Sequence, residues 1–301
     1  MLTPALSNHG SYRGRFAPSP SGPLHFGSLV AALGSFLAAK SQQGKWLVRI
    51  EDIDTPRVVP GADSDILHTL EAYGLHWDET VVYQSQRHAL YQDVLNALQN
   101  QGLVYACQCT RKEIKQRGGF YDNHCRALHL PFAGNALRLR QNFPVDTFKD
   151  QIQGQVHIPT NIAQEDYIIK RRDGLYAYQL VVVLDDIDQQ ITHVVRGADL
   201  LEPTARQLGL FEQLKHPAPQ YAHLPLVVTE PGLKLSKQNH APAIDRCDPI
   251  PATLAALRFL GLSPPKDLDS LAIEDILKWA IASFSLQKIS KLTEKPLSDA
   301  Y

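Results

Sequence analysis

The stretch RFAPSPSGPLHFGSL, from Arg15 to Leu29, carries a histidine among prolines and glycines. The prolines prevent a central strand from continuing, and glycines such as Gly27 permit tight turns and close approach of the backbone to a ligand. The pattern predicts a strand that ends in a turn and leads into a helix. The N–H groups at a helix start bind phosphate, and His25 can add a hydrogen bond. Taken alone, the stretch also fits a stiff surface loop with an incidental histidine.

Three cysteines lie close together in the segment CQCTRKEIKQRGGFYDNHC. In a reducing compartment, cysteines serve more often as metal ligands or reactive thiols than as disulfide partners. Cys107, Cys109 and Cys125 can bind zinc tetrahedrally if a fourth ligand is present, and general zinc chemistry selects His124. The remaining cysteine, Cys247, is far from this group in the sequence, and we expect it to be a free thiol.

Alternating helices and strands are expected to position these residues. The chain has 301 residues, of which 44% are hydrophobic, enough for a sizeable core and about two domains. Apolar residues recur with helical spacing from Leu29 to Leu37, and KWLVRI, Lys45 to Ile50, has the composition of a buried strand. Helical patterns follow from Asp63 to Tyr73, with Asp63 or Ser64 as the cap, and from His88 to about Asn100. This order predicts an α/β, Rossmann-like parallel sheet that is covered on both faces.

The periodicity fades from Tyr105 to about Asp166, which indicates an inserted domain. A hairpin signal at Asp173-Gly174, a strand in ITHVVRGADL and a helix from about Thr204 to Leu214 follow. Two further apolar periods predict a small helical C-terminal domain. The predicted domains are 1–104, the first half of the catalytic sheet; 105–166, the zinc-containing insertion; 167–240, the second half; and 241–301, the C-terminal helices.

The formal net charge of −1 gives no general sign of a nucleic-acid partner, so RNA would have to meet a local basic surface. The candidates are Arg111, Lys112, Lys115 and Arg117 in the insertion, and Lys170, Arg171 and Arg172 near the hairpin. The first set fits equally well the solvated face of a helix. No run approaches the roughly 18 apolar residues of a membrane span, and the start lacks the features of a signal peptide. We therefore expect a cytoplasmic location.

Four segments of the chain resemble class I aminoacyl-tRNA synthetases of the glutamyl branch. RFAPSPSGPLHFGSL resembles their first signature, and LKLSK, from Leu233 to Lys237, resembles their second signature loop. RIEDID, from Arg49, and YAYQLVVVLDDIDQQITHVVRGADL, from Tyr176, resemble further blocks of that branch. The likeness runs in consistent order from about Tyr12 to Gln238.

Two features make the chain most similar to the short glutamyl-synthetase paralogues, the glutamyl-Q tRNA(Asp) synthetases. Residues 238–301 are all that follow Lys237, too few for a complete anticodon-binding domain of about 100 residues or more. In addition, Ser28 occupies a position at which the longer synthetases more often have histidine or asparagine.

This resemblance implies a reaction in two steps. Glutamate and ATP, the latter with Mg²⁺, give glutamyl-adenylate and pyrophosphate, and glutamate then passes to the queuosine base at the wobble position of tRNA(Asp). Hydrogen-bond donors stabilise the negative charge that grows on the phosphate oxygens during the first step. The catalytic and ATP-binding positions implied are His25, Gly27, Ser28, Lys234 and Lys237. Among them, Lys237 is the main candidate for contact with the transition state.

The same resemblance assigns the glutamate site. Arginine suits a carboxylate because it forms two parallel hydrogen bonds, and a carboxylate suits the ammonium group. The matching positions are Arg15, Ala17, Ser19, Glu51, Tyr178 and Arg196. Glu51 would receive the ammonium, although alone it also fits a surface salt bridge, and which arginine meets which carboxylate stays open. Asp185 and Asp186 either shape this site or end a helix or strand.

For the metal, the resemblance implies that Tyr121, rather than His124, completes a zinc site with the three cysteines. It also implies a monomer whose partners are ATP, glutamate and tRNA(Asp) carrying queuosine. Two other functions are considered: a truncated glutamyl-tRNA synthetase that charges tRNA(Glu), and a non-catalytic RNA-binding paralogue. The missing anticodon domain argues against the first of these, and the retained His25, Glu51, Arg196 and both KLSK lysines argue against the second.

Overall fold

A computed structural model describes residues 11–235 and 241–300 of the chain. The strands are β1 (Arg13–Phe16), β2 (Lys45–Ile50), β3 (Val82–Tyr83), β4 (Val104–Cys107), β5 (Ala136–Leu139), β6 (Thr147–Asp150), β7 (Gly154–His157), β8 (Tyr167–Lys170), β9 (His193–Gly197), β10 (Gln220–Leu224), β11 (Leu226–Glu230), β12 (Leu233–Lys234) and β13 (Glu294–Pro296). The helices are α1 (Phe26–Lys40), α2 (Ala62–Ala72), α3 (His88–Asn100), α4 (Arg111–Gln116), α5 (Thr160–Ala163), α6 (Tyr178–Asp188), α7 (Leu201–Gln213), α8 (Pro249–Phe259) and α9 (Ile273–Ser283).

The central strands are parallel, as the sequence predicts. β1 pairs with β2, β2 with β3, and β9 with β10, each in parallel register. β9 begins beside β1, where the N–H of Thr192 donates to the carbonyl of Arg13 at 2.9 Å. Alternate residues of these strands enter different apolar clusters: Trp46 packs with α1, whereas Leu47 packs with Val194 on another face. Burial on both faces is typical of a parallel sheet.

A second, antiparallel sheet follows in the chain. Its strands are arranged in the order β4-β5-β8, and β6 pairs with β7 in a separate antiparallel hairpin. β8 lies beyond Asp166, the predicted end of the insertion, yet pairs with β5. The hairpin predicted at Asp173-Gly174 is present, since Lys170 and Tyr176 form an antiparallel bridge and Gly174 has a φ of +91°.

Most predicted elements occur where their sequence patterns indicate, but one predicted helix cap is wrong and one helix, α6, is not among the predicted elements. The predicted caps of α2, Asp63 and Ser64, are wrong: the N-cap is Gly61, whose φ of +80° is the left-handed conformation that glycine tolerates best. The segment YQLVVVLDDID has the β-branched composition of a strand but forms α6, with both of its central aspartates buried. Burial on all sides outweighs intrinsic propensity here.

The helices near the C-terminus pack against the parallel-sheet core. Leu254 and Leu257 of α8 and Ile276 of α9 belong to the same apolar cluster as Leu33 of α1. The edge-to-face rings of Phe26 and Phe259 also join α1 to α8. In residues 11–235 and 241–300, no helix combines the length and apolar character needed to cross a membrane.

Candidate active site

The carboxyl ends of β1, β2 and β9 open onto one cavity of about 720 Å³. In an open parallel sheet, such a crevice lies where the strand order reverses and is a common ligand site. Of the predicted site residues, those that line it are Arg15, Ala17, Ser19, His25, Gly27, Ser28, Glu51, Tyr178, Arg196 and Lys234. The fold therefore brings together residues that span more than two hundred positions of the sequence. Their individual roles remain predictions.

His25 caps the helix that begins at the cavity. Its Nδ1 accepts a hydrogen bond from the N–H of Ser28 at 3.3 Å, so the neutral ring carries its proton on Nε2. Gly27 makes this arrangement possible, because a Cβ there would lie 3.1 Å from Cε1 of His25. The start of α1 thus combines helical N–H groups with an imidazole donor, a combination suited to phosphate.

A buried network of charges holds Arg15. Its Nε and Nη2 each donate to a different oxygen of Asp186 at 3.2 Å, and Arg49 donates from Nη2 to the same carboxylate at 2.8 Å. Burial alone would raise the pKa of Asp186, but the two guanidinium groups outweigh it and lower that pKa. Asp186 therefore shapes the site by positioning Arg15. The neighbouring Asp185 accepts a hydrogen bond from Nε of Arg87 at 2.7 Å, and Arg87 does not line the cavity.

Glu51 leaves the end of β2 and faces the cavity. Its backbone N–H donates to the carbonyl of Pro18, which ties the strand end to the loop after β1. One carboxylate oxygen lies 3.6 Å from Arg49 and is buried without a hydrogen-bond partner. Burial raises the pKa of Glu51, and the neighbouring guanidinium groups oppose this rise only in part. A positive charge in the cavity, such as an ammonium, would oppose this rise further and stabilise the ionised carboxylate.

Arg196 reaches the cavity from the end of β9. Its Nη1 donates to the hydroxyl of Tyr178 at 3.2 Å, and its Nη2 donates to Thr204 and Gln207 at 2.6 and 2.7 Å. All three partners are electrically neutral. The guanidinium is thus held beside Tyr178 by neutral hydrogen-bond partners.

The second signature loop is described only in part. Lys234 lines the cavity and forms an ion pair with Asp199, a residue that follows β9. Lys237, the main candidate for contact with the transition state, lies outside the described residues. Arg49 and Asp199 lie within two of the four resembling segments, but neither was assigned a role there, because their contacts are with residues distant in the sequence.

Residues 11–299 match the family model for tRNA synthetases class I (E and Q), catalytic domain. The chain belongs to this family. Its parallel sheet and the cavity at the strand ends are accordingly those of a class I synthetase catalytic domain, as the four sequence blocks indicate.

Among class I synthetases, the chain is similar to several curated glutamyl-Q tRNA(Asp) synthetases. It is 60% identical over 283 residues to the glutamyl-Q tRNA(Asp) synthetase of Photobacterium profundum, covering 94% of this chain and 91% of the relative. It is 56% identical over 286 residues to the glutamyl-Q tRNA(Asp) synthetase of Vibrio cholerae serotype O1, covering 94% of each. A solved glutamate tRNA ligase from Elizabethkingia meningosepticum, in complex with its amino acid, superposes with a TM-score of 0.78 at 27% identity. The match covers 97% of this chain and 68% of that one.

The three clustered cysteines of this synthetase lie together at the end of β4 and in the segment that follows it. The Sγ atoms of Cys107, Cys109 and Cys125 are all within 4.8 Å of one another. Tyr121 is buried in the same cluster, and its hydroxyl accepts the N–H of Cys125 at 2.9 Å. The side chain of His124 is exposed, and no His, Asp or Glu of the described residues joins the three sulfurs. Cys247 is a free, exposed thiol.

Two arginines surround this cysteine cluster. Arg138 donates to Sγ of Cys107 at 3.2 Å and lies 3.5 Å from the ring centre of Tyr121, while Arg117 donates to Cys109 at 3.0 Å. Burial alone would raise the pKa of Cys107, but its hydrogen bond to Arg138 helps to lower that pKa. The thiolate form, which binds metals, is therefore more accessible at this position than in an ordinary cysteine.

The predicted basic surfaces are partly used within the fold. Arg111, Lys112 and Lys115 are exposed on α4, whose start is fixed by a capping box between Thr110 and Glu113. Near the hairpin, the three cations are engaged: Lys170 with Gln92, Arg171 with Asp54 and Asp173, and Arg172 with the carbonyl of Gln108. The exposed cations of α4 remain the more accessible candidates for contact with RNA phosphate.

Proposed function

We propose that this chain activates glutamate with ATP and transfers it to the queuosine base at the wobble position of tRNA(Asp). The proposal rests on one observation above all. In a class I synthetase similar to glutamyl-Q tRNA(Asp) synthetases, a single cavity carries a phosphate-binding helix start beside two arginines and a buried glutamate. Its volume of about 720 Å³ is within the range of about 300–1,000 Å³ typical of small-molecule sites.

Glutamate is proposed to bind between β1, β2 and β9. Glu51 receives the ammonium, because it is a carboxylate that lines the cavity at the end of β2. Arg196 binds a carboxylate with Tyr178 beside it, and Arg15 supplies a second cationic group, with Ala17 and Ser19 lining the space between. Arg196 is the stronger candidate for the side-chain carboxylate, since Arg15 is already paired with Asp186.

ATP, carried with Mg²⁺, is proposed to lie over the start of α1. His25, Gly27 and Ser28 offer hydrogen bonds and open space to its phosphates, and the lysines of the KLSK loop are proposed to supply positive charge. Attack of the glutamate carboxylate on the α-phosphorus breaks the bond to pyrophosphate and places extra negative charge on the α-phosphate oxygens. Preorganised donors at those oxygens typically contribute about 100- to 1,000-fold each.

Zinc is proposed to be held by Cys107, Cys109, Cys125 and Tyr121. Ligand sulfurs about 2.3 Å from a tetrahedral zinc are roughly 3.8 Å apart. The three sulfurs lie within 4.8 Å of one another, and those of Cys109 and Cys125 are 3.4 Å apart, which is compatible with shared binding of one ion. The hydroxyl of Tyr121 faces the same group and is within hydrogen-bond reach of Cys107. When bound, the metal would cross-link a loop that has few apolar residues of its own, a structural role.

The remaining parts of the proposal concern the tRNA and the domains. The insertion, residues 105–166, and the C-terminal helices, residues 241–301, are proposed to flank a catalytic domain built from 1–104 and 167–240. The exposed cations of α4 are proposed to contact RNA phosphate. A monomer located in the cytoplasm, where tRNA is found, completes the proposal.

The first step is tested by pyrophosphate exchange. With glutamate, ATP and Mg²⁺ but no RNA, we expect label from pyrophosphate to enter ATP. A folded, zinc-loaded sample without exchange would favour the non-catalytic paralogue or an enzyme that must bind tRNA before it activates glutamate. Repeating the assay with each tRNA present separates those two outcomes.

The acceptor is tested with radiolabelled glutamate. Label is expected on tRNA(Asp) that carries queuosine and not on the same tRNA made without it, which is the matched control. Nuclease digestion then shows whether the label is in the anticodon fragment or on the terminal adenosine. Label on the terminal adenosine of tRNA(Glu) would establish a truncated glutamyl-tRNA synthetase instead.

A further inference from the structure

Asp150, His223 and Arg196 form a buried chain of hydrogen bonds beside the cavity. Nδ1 of His223, on β10, lies 2.7 Å from Oδ2 of Asp150, and its Nε2 accepts a hydrogen bond from Nε of Arg196 at 3.1 Å. Asp150 and His223 are at most 1% exposed, and Arg196 is 5% exposed. None of the sequence patterns marks Asp150 or His223, which are 73 residues apart.

The hydrogen bonds define the state of the imidazole. A guanidinium has donors only, so Nε2 of His223 must be the acceptor and the ring proton lies on Nδ1, toward Asp150. Asp150 is itself fixed by the N–H groups of Ile152 and Gln153, at 2.9 and 2.8 Å. The carboxylate of Asp150 orients the neutral imidazole of His223, which in turn orients the guanidinium of Arg196. A carboxylate orients a histidine ligand in the same way in many metal sites.

The charges around Arg196 differ from those around the other buried arginines. Arg15 and Arg49 share the carboxylate of Asp186, whereas no carboxylate of the described residues lies within ion-pair distance of Arg196. A carboxylate in direct contact would neutralise the guanidinium and compete with any acidic ligand. The imidazole of His223 supplies the hydrogen bond and keeps the negative charge of Asp150 one ring further away.

We infer that Asp150 and His223 orient Arg196 and leave its positive charge available to a carboxylate of the substrate. His223 is then a positioning residue for recognition of the acidic amino acid, a role that rests on the proposed function. Nε2 of His223 also lies 3.1 Å from Oγ1 of Thr204, but of these residues only Arg196 lines the cavity. Loss of the imidazole is therefore expected to affect binding of glutamate and to leave binding of ATP unchanged.

The test is the pair of KM values in pyrophosphate exchange, measured with His223→Leu. We expect the KM for glutamate to rise about tenfold or more, as for loss of a hydrogen bond to a charged group, while the KM for ATP stays within about twofold. His223→Gln, whose amide oxygen can still accept from Arg196, should recover most of the glutamate affinity. His193→Leu is the matched control, since His193 is on β9 but stacks on Tyr12, away from the cavity.

Each outcome decides the inference. Equal changes in both KM values, or no change in the KM for glutamate, would overturn it. If His223→Leu does not fold, Asp150→Asn takes its place and must raise the KM for glutamate alone. Failure of the unmodified chain to catalyse glutamate-dependent exchange would instead count against the proposed function.

Discussion

The carboxylate of Asp186 forms two hydrogen bonds with Arg15, although the two residues are 171 positions apart in the sequence. The same carboxylate accepts a hydrogen bond from Arg49, and all three side chains are at most 4% exposed. This pairing joins helix α6 to the first two strands of the sheet. It holds Arg15, which lines the cavity of the proposed glutamate site.

Asp186→Asn is expected to lower the free energy of unfolding by about 3 kcal/mol, because two buried guanidinium groups lose their shared negative partner. Urea denaturation at neutral pH measures the change. Asp188→Asn is the matched control on the same helix. Asp188 is 32% exposed and pairs with Arg87, so its loss should cost at most about 1 kcal/mol. Equal losses in the two variants would contradict the assigned role of Asp186.

Glutamate binding is expected to weaken on acidification. The pKa of Glu51 is raised above its usual 4.5, so its carboxylate becomes protonated, and unable to pair with ammonium, at a higher pH than an ordinary glutamate. Calorimetric titration with glutamate between pH 7.5 and pH 5, in ~0.5-unit steps, should show this loss in the unmodified chain. Glu51→Gln should bind at least about tenfold more weakly at pH 7.5 and depend less on pH.

The raised pKa of Glu51 has different consequences for glutamate binding and for the stability of the fold. A carboxylate whose pKa is raised by folding stabilises the fold when it is protonated and loses that contribution as the pH rises through the raised pKa. At pH 7.5, Glu51→Gln is therefore expected to be no less stable than the unmodified chain in urea denaturation. A variant with weakened binding and clearly lowered stability would point to a structural role for Glu51.

Tyr121→Phe is expected to reduce zinc affinity by at least about tenfold, because it removes one of four proposed ligands. Zinc retained after dialysis against a chelator, measured by mass spectrometry of the metal, gives the comparison. His124→Ala should retain zinc like the unmodified chain, since its side chain is exposed and apart from the sulfurs. The reverse result would restore His124 as the fourth ligand.

Lys237→Ala is expected to slow pyrophosphate exchange at least about tenfold without unfolding the protein. Lys234→Ala should have a smaller effect, because Lys234 shares its charge with Asp199. Circular dichroism checks the fold, and Lys278→Ala, an exposed lysine of α9, serves as the control. Exchange at the unmodified rate in Lys237→Ala would remove this lysine from the catalytic residues.

The sequence by itself determined the parts of this protein that depend on local spacing. The apolar composition of KWLVRI indicated β2, and helical periodicity indicated α3 from His88 to about Asn100; both are observed, at Lys45–Ile50 and His88–Asn100. The proline and glycine pattern around His25 indicated the turn and helix start that carry the proposed phosphate-binding groups. Such features are predictable because neighbouring residues and backbone geometry alone produce them.

Only the tertiary structure decided which distant side chains meet. The pairing of Arg15 with Asp186, the chain from Asp150 through His223 to Arg196, and the inward position of Tyr121 all join segments without a shared local pattern. Even α6 is a helix against the β-branched composition of Val181–Val183, because burial and packing outweigh propensity. Contacts of this kind depend on how whole elements pack, and that information is spread over the entire chain.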